Sequence, residues 1–201
     1  GLTLRHGDEV ITCVARQLEP YRGFHIFMRA LPLIQKLRPN ARVVLVGGDE
    51  VSYGAPAPGG ESWRNVLLKE VGSRIDMTRV HFVGRVPHQR LTQLMQVAAV
   101  HVYLTYPFVL SWSLLEAMSI GCLIVASDTA PVREVITDGG NGLLTDFFDA
   151  GQLAERVAYA LDNRTRLAHL REAARASIQN RYDLASICLP RQLAFVLGNG
   201  R

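Results

Sequence analysis

Cysteines, lysines and long apolar runs are scarce in this chain of 201 residues, and each scarcity excludes a class of protein. The three cysteines, Cys13, Cys122 and Cys188, stand far apart, which disfavours a disulfide framework or a cysteine metal site. No apolar run approaches the roughly 18 residues of a membrane-spanning helix, and the first residues do not form a signal peptide. We therefore expect a cytoplasmic, globular protein with buried, reduced thiols.

The positive charge of the chain is modest and comes almost entirely from arginine. The formal net charge is +4, and Lys36 and Lys69 are the only lysines among the 22 basic residues. Guanidinium groups suit bidentate contacts with phosphate, but no arginine cluster with interleaved aromatic residues is present, so nucleic acid is not an expected partner. None of the six histidines has a partner at metal-ligand spacing, so no metal and no other cofactor is predicted.

Apolar, β-prone runs alternate with helical patterns along the whole chain. With 48% hydrophobic and 20% charged residues, the composition is that of a folded domain with a substantial core. The predicted strands are 10–15, 42–46, 79–83, 100–104, 123–126 and 142–144. This alternation predicts an α/β fold, a doubly wound, parallel, six-stranded Rossmann-like sheet with helices on both faces.

Several local signals predict where helices begin, break and end. Ser62 is a suitable N-cap, Pro87 stands at a helix start, and Gly121 is a helix stop. Pro32 is predicted to kink or divide the first helix. The segment 49–60 is rich in Gly, Pro, Ser and Ala, and we interpret it as a loop that borders a crevice.

The segment 108–122 carries the most functional information in the sequence. It follows the predicted strand 100–104, passes the breaker Pro107 and becomes helical near Ser111. In a parallel α/β sheet such a corner lies at the carboxyl end of a strand, where ligands bind and a new helix offers free amide groups to an anion. Arg16 and Arg22 bracket the loop after the first strand and are predicted to reach the same crevice.

Glu116 stands in the first turns of that helix, and its position allows two interpretations. Its carboxylate could accept hydrogen bonds from vicinal hydroxyls, as acidic residues do with a ribose. It could also be a solvated glutamate, since acidic residues favour the amino ends of helices. Position alone leaves both interpretations open.

A longer motif resembles a known family. Ser-Leu-Leu-Glu-Ala-Met-Ser-Ile-Gly-Cys-Leu-Ile-Val-Ala-Ser-Asp at 113–128, followed by Glu134-Val135-Ile136 and Asn141-Gly142-Leu143-Leu144, resembles the donor-binding half of a retaining GT-B glycosyltransferase of the glycogen synthase- and mannosyltransferase-like group. The resemblance covers essentially the whole chain. It implies that residues 1–201 form the carboxyl-terminal domain, which binds a nucleoside-diphosphate sugar whose sugar passes to a glycan or glycolipid. It also implies an amino-terminal acceptor domain outside this chain, with peripheral contact to the inner face of a membrane through that domain.

The resemblance further implies roles for individual residues. Arg16 and Arg22 would grip the donor diphosphate and stabilise it as it leaves, which makes them the catalytic pair. The remaining donor-binding residues would be Arg85 and Val86 at the base, Phe108, Val109, Leu110, Ser111 and Trp112 in the loop, and Leu115 and Glu116 near the ribose. Phe108 departs from the family pattern, which often has a glutamate near the donor sugar at this position.

Two other classes of protein stay open on the sequence. A non-catalytic module that binds a nucleotide sugar would keep the same motifs, and the Phe108 departure favours it. A flavodoxin-like or response-regulator-like domain would need a flavin loop or an acidic phosphorylation pocket, and the sequence shows neither.

Overall fold

Six parallel strands form one sheet in the order β3-β2-β1-β4-β5-β6. The computed structural model describes residues 2–198 of the chain. The strands are β1 Val10–Gln17, β2 Arg42–Gly48, β3 Val80–Phe82, β4 Val100–Tyr103, β5 Ile124–Ser127 and β6 Leu143–Thr145. All six predicted strands are present, with ends that differ by one or two residues, and the predicted doubly wound Rossmann-like sheet is confirmed.

Helices cover both faces of this sheet. They are α1 Phe24–Leu37, α2 Trp63–Val71, α3 His88–Val97, α4 Trp112–Ile120, α5 Ala130–Arg133, α6 Ala150–Asp162, α7 Ala168–Tyr182 and α8 Leu189–Val196. The apolar residues of α1, α2 and α6 pack in one cluster on one face, and those of α3, α4 and α5 pack in a second cluster on the other. Side chains alternate between the two clusters along β2 and β5, so these strands are buried on both faces.

The local helix signals agree with the structure except at Pro32. The Ser62 hydroxyl accepts a hydrogen bond of 3.3 Å from the amide of Asn65, and Gly121 ends α4 with a positive φ of 80°. Pro32 lies inside one continuous helix α1, so the predicted division is wrong. The fully buried Leu31 and Ile34 hold the helix together through the proline, because their packing outweighs the loss of one backbone hydrogen bond.

Two of the three thiols are buried as predicted. Desolvation raises the pKa of Cys13 and that of Cys122 to about 12, and Cys188 is half-buried. Burial also lowers the pKa of His101 to about 4, so its ring is neutral where Nδ1 pairs with the Thr12 hydroxyl at 2.9 Å. Across residues 2–198, the helices are too short or too polar to cross a bilayer.

The strand order reverses between β1 and β4, and this reversal positions the site. At such a point the loops that follow the two central strands separate and leave a crevice at the carboxyl edge of the sheet. The loop after β1 is 18–23 and the loop after β4 is 104–111. The amide of Tyr106 donates to the carbonyl of Tyr21 at 3.0 Å, so the two loops are joined at one side of the crevice.

Candidate functional site

Arg22 lies at the centre of the crevice and is held by the opposite loop. Its Nη1 donates to the Thr105 hydroxyl at 3.2 Å and to the carbonyl of Val109 at 3.0 Å. Within the described residues, Nε and Nη2 have no hydrogen-bond partner. The anchored guanidinium therefore keeps one free edge of parallel N–H groups, the arrangement that suits bidentate binding of a phosphate.

Thr105 receives support from β5. Its amide donates to the Ser127 hydroxyl at 3.0 Å, and that hydroxyl donates back to the Thr105 carbonyl at 3.1 Å. Both residues are fully buried. The position of Arg22 is thus fixed by hydrogen bonds that run from the sheet through the loop after β4.

Arg16 has a different environment from Arg22. It lies near the end of β1 and is exposed, and in the part of the chain that the structure describes its side chain forms no hydrogen bond or ion pair. The predicted pair is therefore unequal: Arg22 is preorganised, whereas Arg16 is free to change rotamer. A role for Arg16 in binding a diphosphate stays a prediction.

The amino end of α4 faces this crevice. Ser111 makes no side-chain cap to the helix in the described chain, because its hydroxyl pairs with that of Ser113 at 2.7 Å. The amide of Ser111 donates to the Tyr103 hydroxyl at 2.9 Å, which fixes where the helix begins. The amide of Leu114 donates to the Ser111 carbonyl at 3.2 Å, whereas within the described residues the amides of Trp112 and Ser113 have no partner and are left for an anion. Trp112, which was predicted in the loop, is the first residue of α4, because the helix starts directly after Ser111.

The remaining predicted loop residues form an exposed rim. Phe108, Val109 and Trp112 are exposed, and Trp112 retains 81% of its accessible surface. Leu110 and Leu115 are half-buried and pack on the same apolar cluster as Val86. The segments predicted to contact the base and the sugar therefore pack on the same hydrophobic cluster.

Glu116 faces the start of α3. Its carboxylate lies 3.2 Å from Nε2 of His88, the first residue of that helix, and the Glu116 side chain is 39% exposed. The second carboxylate oxygen has no partner within residues 2–198. Glu116 is thus oriented toward the groove between α3 and α4, and its carboxylate can still accept a hydrogen bond from a ligand hydroxyl group.

Arg85 belongs to a polar bridge between loops. Its Nη2 donates at 3.1 Å to the carboxylate of Glu50, which also accepts from Nε2 of Gln17 at 2.9 Å. The bridge joins the end of β1 to the loops after β2 and β3. The Arg85 guanidinium is thus paired with Glu50, while the backbone of Arg85 remains available to contact a ligand.

Glu19 is a central residue that sequence reasoning missed. It is fully buried, and its Oε2 accepts hydrogen bonds from the amides of Ser52, Tyr53 and Gly54 at 3.1, 3.2 and 3.0 Å. The contacts hold the loop 49–60 against the crevice, as the composition of that loop predicted. The only signal was that Glu19 is the one carboxylate in the turn 18–23, and this did not indicate a partner.

The hydrogen bonds from the loop 49–60 to Glu19 place Tyr53 beside Arg22. The Tyr53 ring lies 5.2 Å from the Arg22 guanidinium carbon, a cation–π distance, and its centroid is 5.2 Å from that of Phe108. Phe108 therefore belongs to the aromatic cover of Arg22. Among residues 2–198, no group of three or more His, Cys, Asp or Glu is arranged to hold a metal ion.

The family model described as glycosyl transferases group 1 matches residues 2–177 of the chain. A curated relative, the phosphatidyl-myo-inositol mannosyltransferase of Mycolicibacterium smegmatis, is 30% identical over 186 residues, which are 89% of this chain and 42% of that protein. The chain spans less than half the length of such curated relatives, from 28 to 46%.

Solved structures share the fold. The crystal structure of Anabaena Alr3699/HepE in complex with UDP superposes with a TM-score of 0.79 at 22% identity, over 96% of this chain and 49% of that one. The carboxyl-terminal domain of the glycosyl transferase group 1 family protein LpcC from Francisella tularensis superposes with a TM-score of 0.72 at 17% identity, over 88% of this chain and 87% of that domain.

Proposed function

Because the chain belongs to the glycosyl transferases group 1 family, we propose that it binds the nucleoside-diphosphate sugar donor of a retaining transferase. The observation that carries the proposal is the free Nε–Nη2 edge of Arg22 beside the uncapped amino end of α4. Both groups lie at the reversal of strand order, where doubly wound sheets bind phosphates. The UDP complex of the HepE neighbour supports the same ligand class.

The proposed chemistry at this site is stabilisation of a leaving group. When the bond between the anomeric carbon and the diphosphate breaks, negative charge develops on the diphosphate, and the acceptor hydroxyl bonds to that carbon through its oxygen while its proton passes to the departing diphosphate. Arg22 and Arg16 offset this charge, and Arg22 does so without reorganisation because its guanidinium is already fixed. No metal ion is required in this proposal.

The other predicted residues position the donor. Glu116 accepts hydrogen bonds from the ribose hydroxyls. The backbone of Arg85 and Val86 contacts the base, and the main chain of Val109 to Trp112 contacts the phosphate and the sugar. Main-chain donors do not depend on the side chains of that loop. Leu115 and Phe108 border the donor.

We also propose that the chain is the carboxyl-terminal half of a GT-B enzyme. Its single six-stranded sheet supplies one Rossmann-like domain, and the LpcC carboxyl-terminal domain matches it over most of its length. The acceptor, a glycan or glycolipid, would bind the amino-terminal domain. The name of the mannosyltransferase relative supports an acceptor with a polyhydroxylated ring. Contact with a membrane surface through the amino-terminal domain, and a cytoplasmic location, stay predictions.

Glu116→Gln is expected to weaken nucleoside diphosphate binding by roughly tenfold or more and to leave inorganic diphosphate binding unchanged. The physical reason is that one hydrogen bond to a charged acceptor contributes about 1.5–3 kcal/mol and the ribose alone uses it. Calorimetric titration with UDP, GDP, ADP and diphosphate measures both affinities. Glu134→Gln, at an exposed carboxylate beside α5, is the matched control. Equal losses for both ligands would contradict a ribose contact.

The 201-residue chain is expected to bind a nucleoside diphosphate in the presence of a chelator and to transfer no sugar by itself. Transfer needs an acceptor hydroxyl held against the anomeric carbon with water excluded, and a one-sided crevice cannot provide that. Addition of an amino-terminal acceptor domain should restore transfer. Steady transfer by the chain alone would contradict the half-enzyme proposal, and loss of binding with chelator would contradict metal independence.

The rival function is a non-catalytic nucleotide-sugar-binding module. Its support is Phe108, whose ring packs on Tyr53 where related enzymes often have a glutamate. If a chain with both domains binds the nucleotide sugar but never transfers it, this second function is the correct one.

A further inference from the structure

A small pocket lined with aromatic rings opens at the carboxyl edge of the sheet, beside the donor crevice. It has a volume of about 250 Å³ and is lined by Pro20, Tyr21, His25, Tyr106, Phe147 and Phe148. These residues come from the segments that follow β1, β4 and β6. We call it the aromatic pocket. Nothing in the donor-binding scheme above uses it.

The rings of the aromatic pocket form an edge-to-face network around Tyr106. The centroid of Tyr106 lies 5.8 Å from that of Tyr21, 5.9 Å from that of Phe147 and 6.1 Å from that of Phe148. Phe147 and Phe148 are 4.9 Å apart at an interplanar angle of 89°. Such T-shaped contacts are favourable and hold each ring in a fixed orientation.

Three of these rings remain open to solvent. Tyr21, Tyr106 and Phe148 expose 39, 43 and 66% of their surface, while Phe147 is buried beneath them. The backbone under the rings is fixed, because Tyr106 bonds to Tyr21 and the amide of Phe148 donates to the Asp146 carboxylate at 2.7 Å. The exposed aromatic faces of the pocket are thus held in place by the backbone beneath them.

The chemistry of the lining selects the ligand class. None of the six lining residues carries a full charge at neutral pH, since burial and the nearby Arg29 lower the pKa of His25 below its ordinary value. An anion therefore has no counter-charge among them. A six-membered ring with hydroxyl groups at its edge and C–H bonds on its faces matches the lining, because those C–H bonds meet the negative π faces and the tyrosine hydroxyls meet the edge.

Size and position narrow the occupant further. The volume lies below the roughly 300–1,000 Å³ of pockets for drug-sized ligands, so it admits one ring and excludes a nucleotide. Tyr21 also contacts Phe108, with centroids 6.1 Å apart, and Phe108 contacts the Tyr53 ring that covers Arg22. A chain of packed rings therefore links the aromatic pocket to Arg22, the proposed site of the leaving diphosphate.

We propose that the aromatic pocket binds a pyranose or cyclitol ring of the acceptor by stacking against Tyr106 and Phe148. This inference rests on the proposed function for the identity of its ligand as an acceptor. It adds an acceptor contact to the donor-binding domain, so that one domain holds both the departing diphosphate and part of the incoming substrate.

Saturation-transfer NMR on the 201-residue chain tests the proposal, with methyl α-D-glucopyranoside and myo-inositol as probes. We expect saturation transfer to the ring protons of at least one probe. Tyr106→Ala and Phe148→Ala should each weaken the affinity for the probe about tenfold or more. Tyr106→Phe should retain most of the affinity because the π face remains. Tyr159→Ala, at an exposed tyrosine of α6 outside the pocket, is the matched control. Circular dichroism verifies that each variant is folded.

Binding of UDP is measured on the same samples to separate this proposal from the proposed function. Absence of transfer to both probes while UDP binds would overturn the aromatic pocket and leave the donor site intact. Binding of a probe without any binding of UDP or other nucleoside diphosphates would overturn the donor site alone. Preferential binding of hexanol at the same rings, with no competition from either probe, would show an apolar site for a lipid tail and would overturn the ring proposal.

Discussion

Arg22→Ala is expected to reduce nucleoside diphosphate affinity by roughly 10- to 100-fold, since a charge-assisted hydrogen bond contributes about 1.5–3 kcal/mol. The effect should be large because the guanidinium is already oriented by Thr105 and Val109 and covered by Tyr53. A preorganised group loses little side-chain entropy on binding, so most of its interaction energy is retained. Isothermal calorimetry with UDP and with inorganic diphosphate should show the same loss for both ligands.

Two further variants make the Arg22 result specific. Arg22→Lys keeps the charge but removes the fork of N–H groups, so we expect a loss between that of the alanine variant and the original chain. Arg16→Ala should cause a smaller loss than Arg22→Ala, because the exposed Arg16 must be ordered by the ligand. The matched control is Arg79→Ala. Arg79 precedes β3 and therefore lies at the amino ends of the strands, opposite the crevice at their carboxyl ends. Unchanged affinity in both Arg16→Ala and Arg22→Ala would mean that the diphosphate binds elsewhere.

Gly23→Ala is expected to destabilise the domain by about 2–4 kcal/mol, as the sum of backbone strain and overpacking. Gly23 has a φ of 66°, which strains any residue with a side chain. An ideal Cβ at this position would lie 2.2 Å from the Cβ of Leu104, which is itself buried. Because Leu104 belongs to the loop after β4, relief of the clash would move that loop away from Arg22.

The matched control for Gly23 is Gly139→Ala. Gly139 has almost the same φ, 67°, but no heavy atom lies within 4 Å of its ideal Cβ. The control therefore isolates the backbone strain, which we expect to cost roughly 1–2 kcal/mol. Urea unfolding of both variants measures the difference. Equal destabilisation of the two would mean that the close approach of Gly23 and Leu104 does not matter for stability.

The fold could be predicted because its signals are local. The strands are mostly apolar, β-prone runs, and the N-cap at Ser62 and the helix stop at Gly121 act within a few residues of themselves. The first helix was the exception. Pro32 carries a local signal for a break, but buried contacts of α1 with other elements override it. Propensity is outweighed wherever tertiary packing buries a whole helical face.

The place of the candidate site on the sheet could be predicted from the sequence, whereas the ligand-binding roles of its residues stay predictions. The strand–loop–helix corner at 104–112 and the turn that ends in Gly23 are contiguous motifs, so the sequence alone indicated an anion site with Arg22 beside it. The sequence likewise determined which family the chain belongs to, since the run 113–144 is contiguous and the family model extends over residues 2–177.

Only the tertiary structure decided how the site is held together. Arg22 bonds to residues 83 and 87 positions away, and Glu19 clamps amides 33 to 35 positions away. The aromatic pocket likewise joins segments that follow three different strands. Such contacts leave no periodic or contiguous pattern, because they arise when the strand order brings distant loops to one edge of the sheet. The sequence thus determined the elements and the charged groups, whereas the packing of the loops determined which arginine is preorganised and which rings stay exposed.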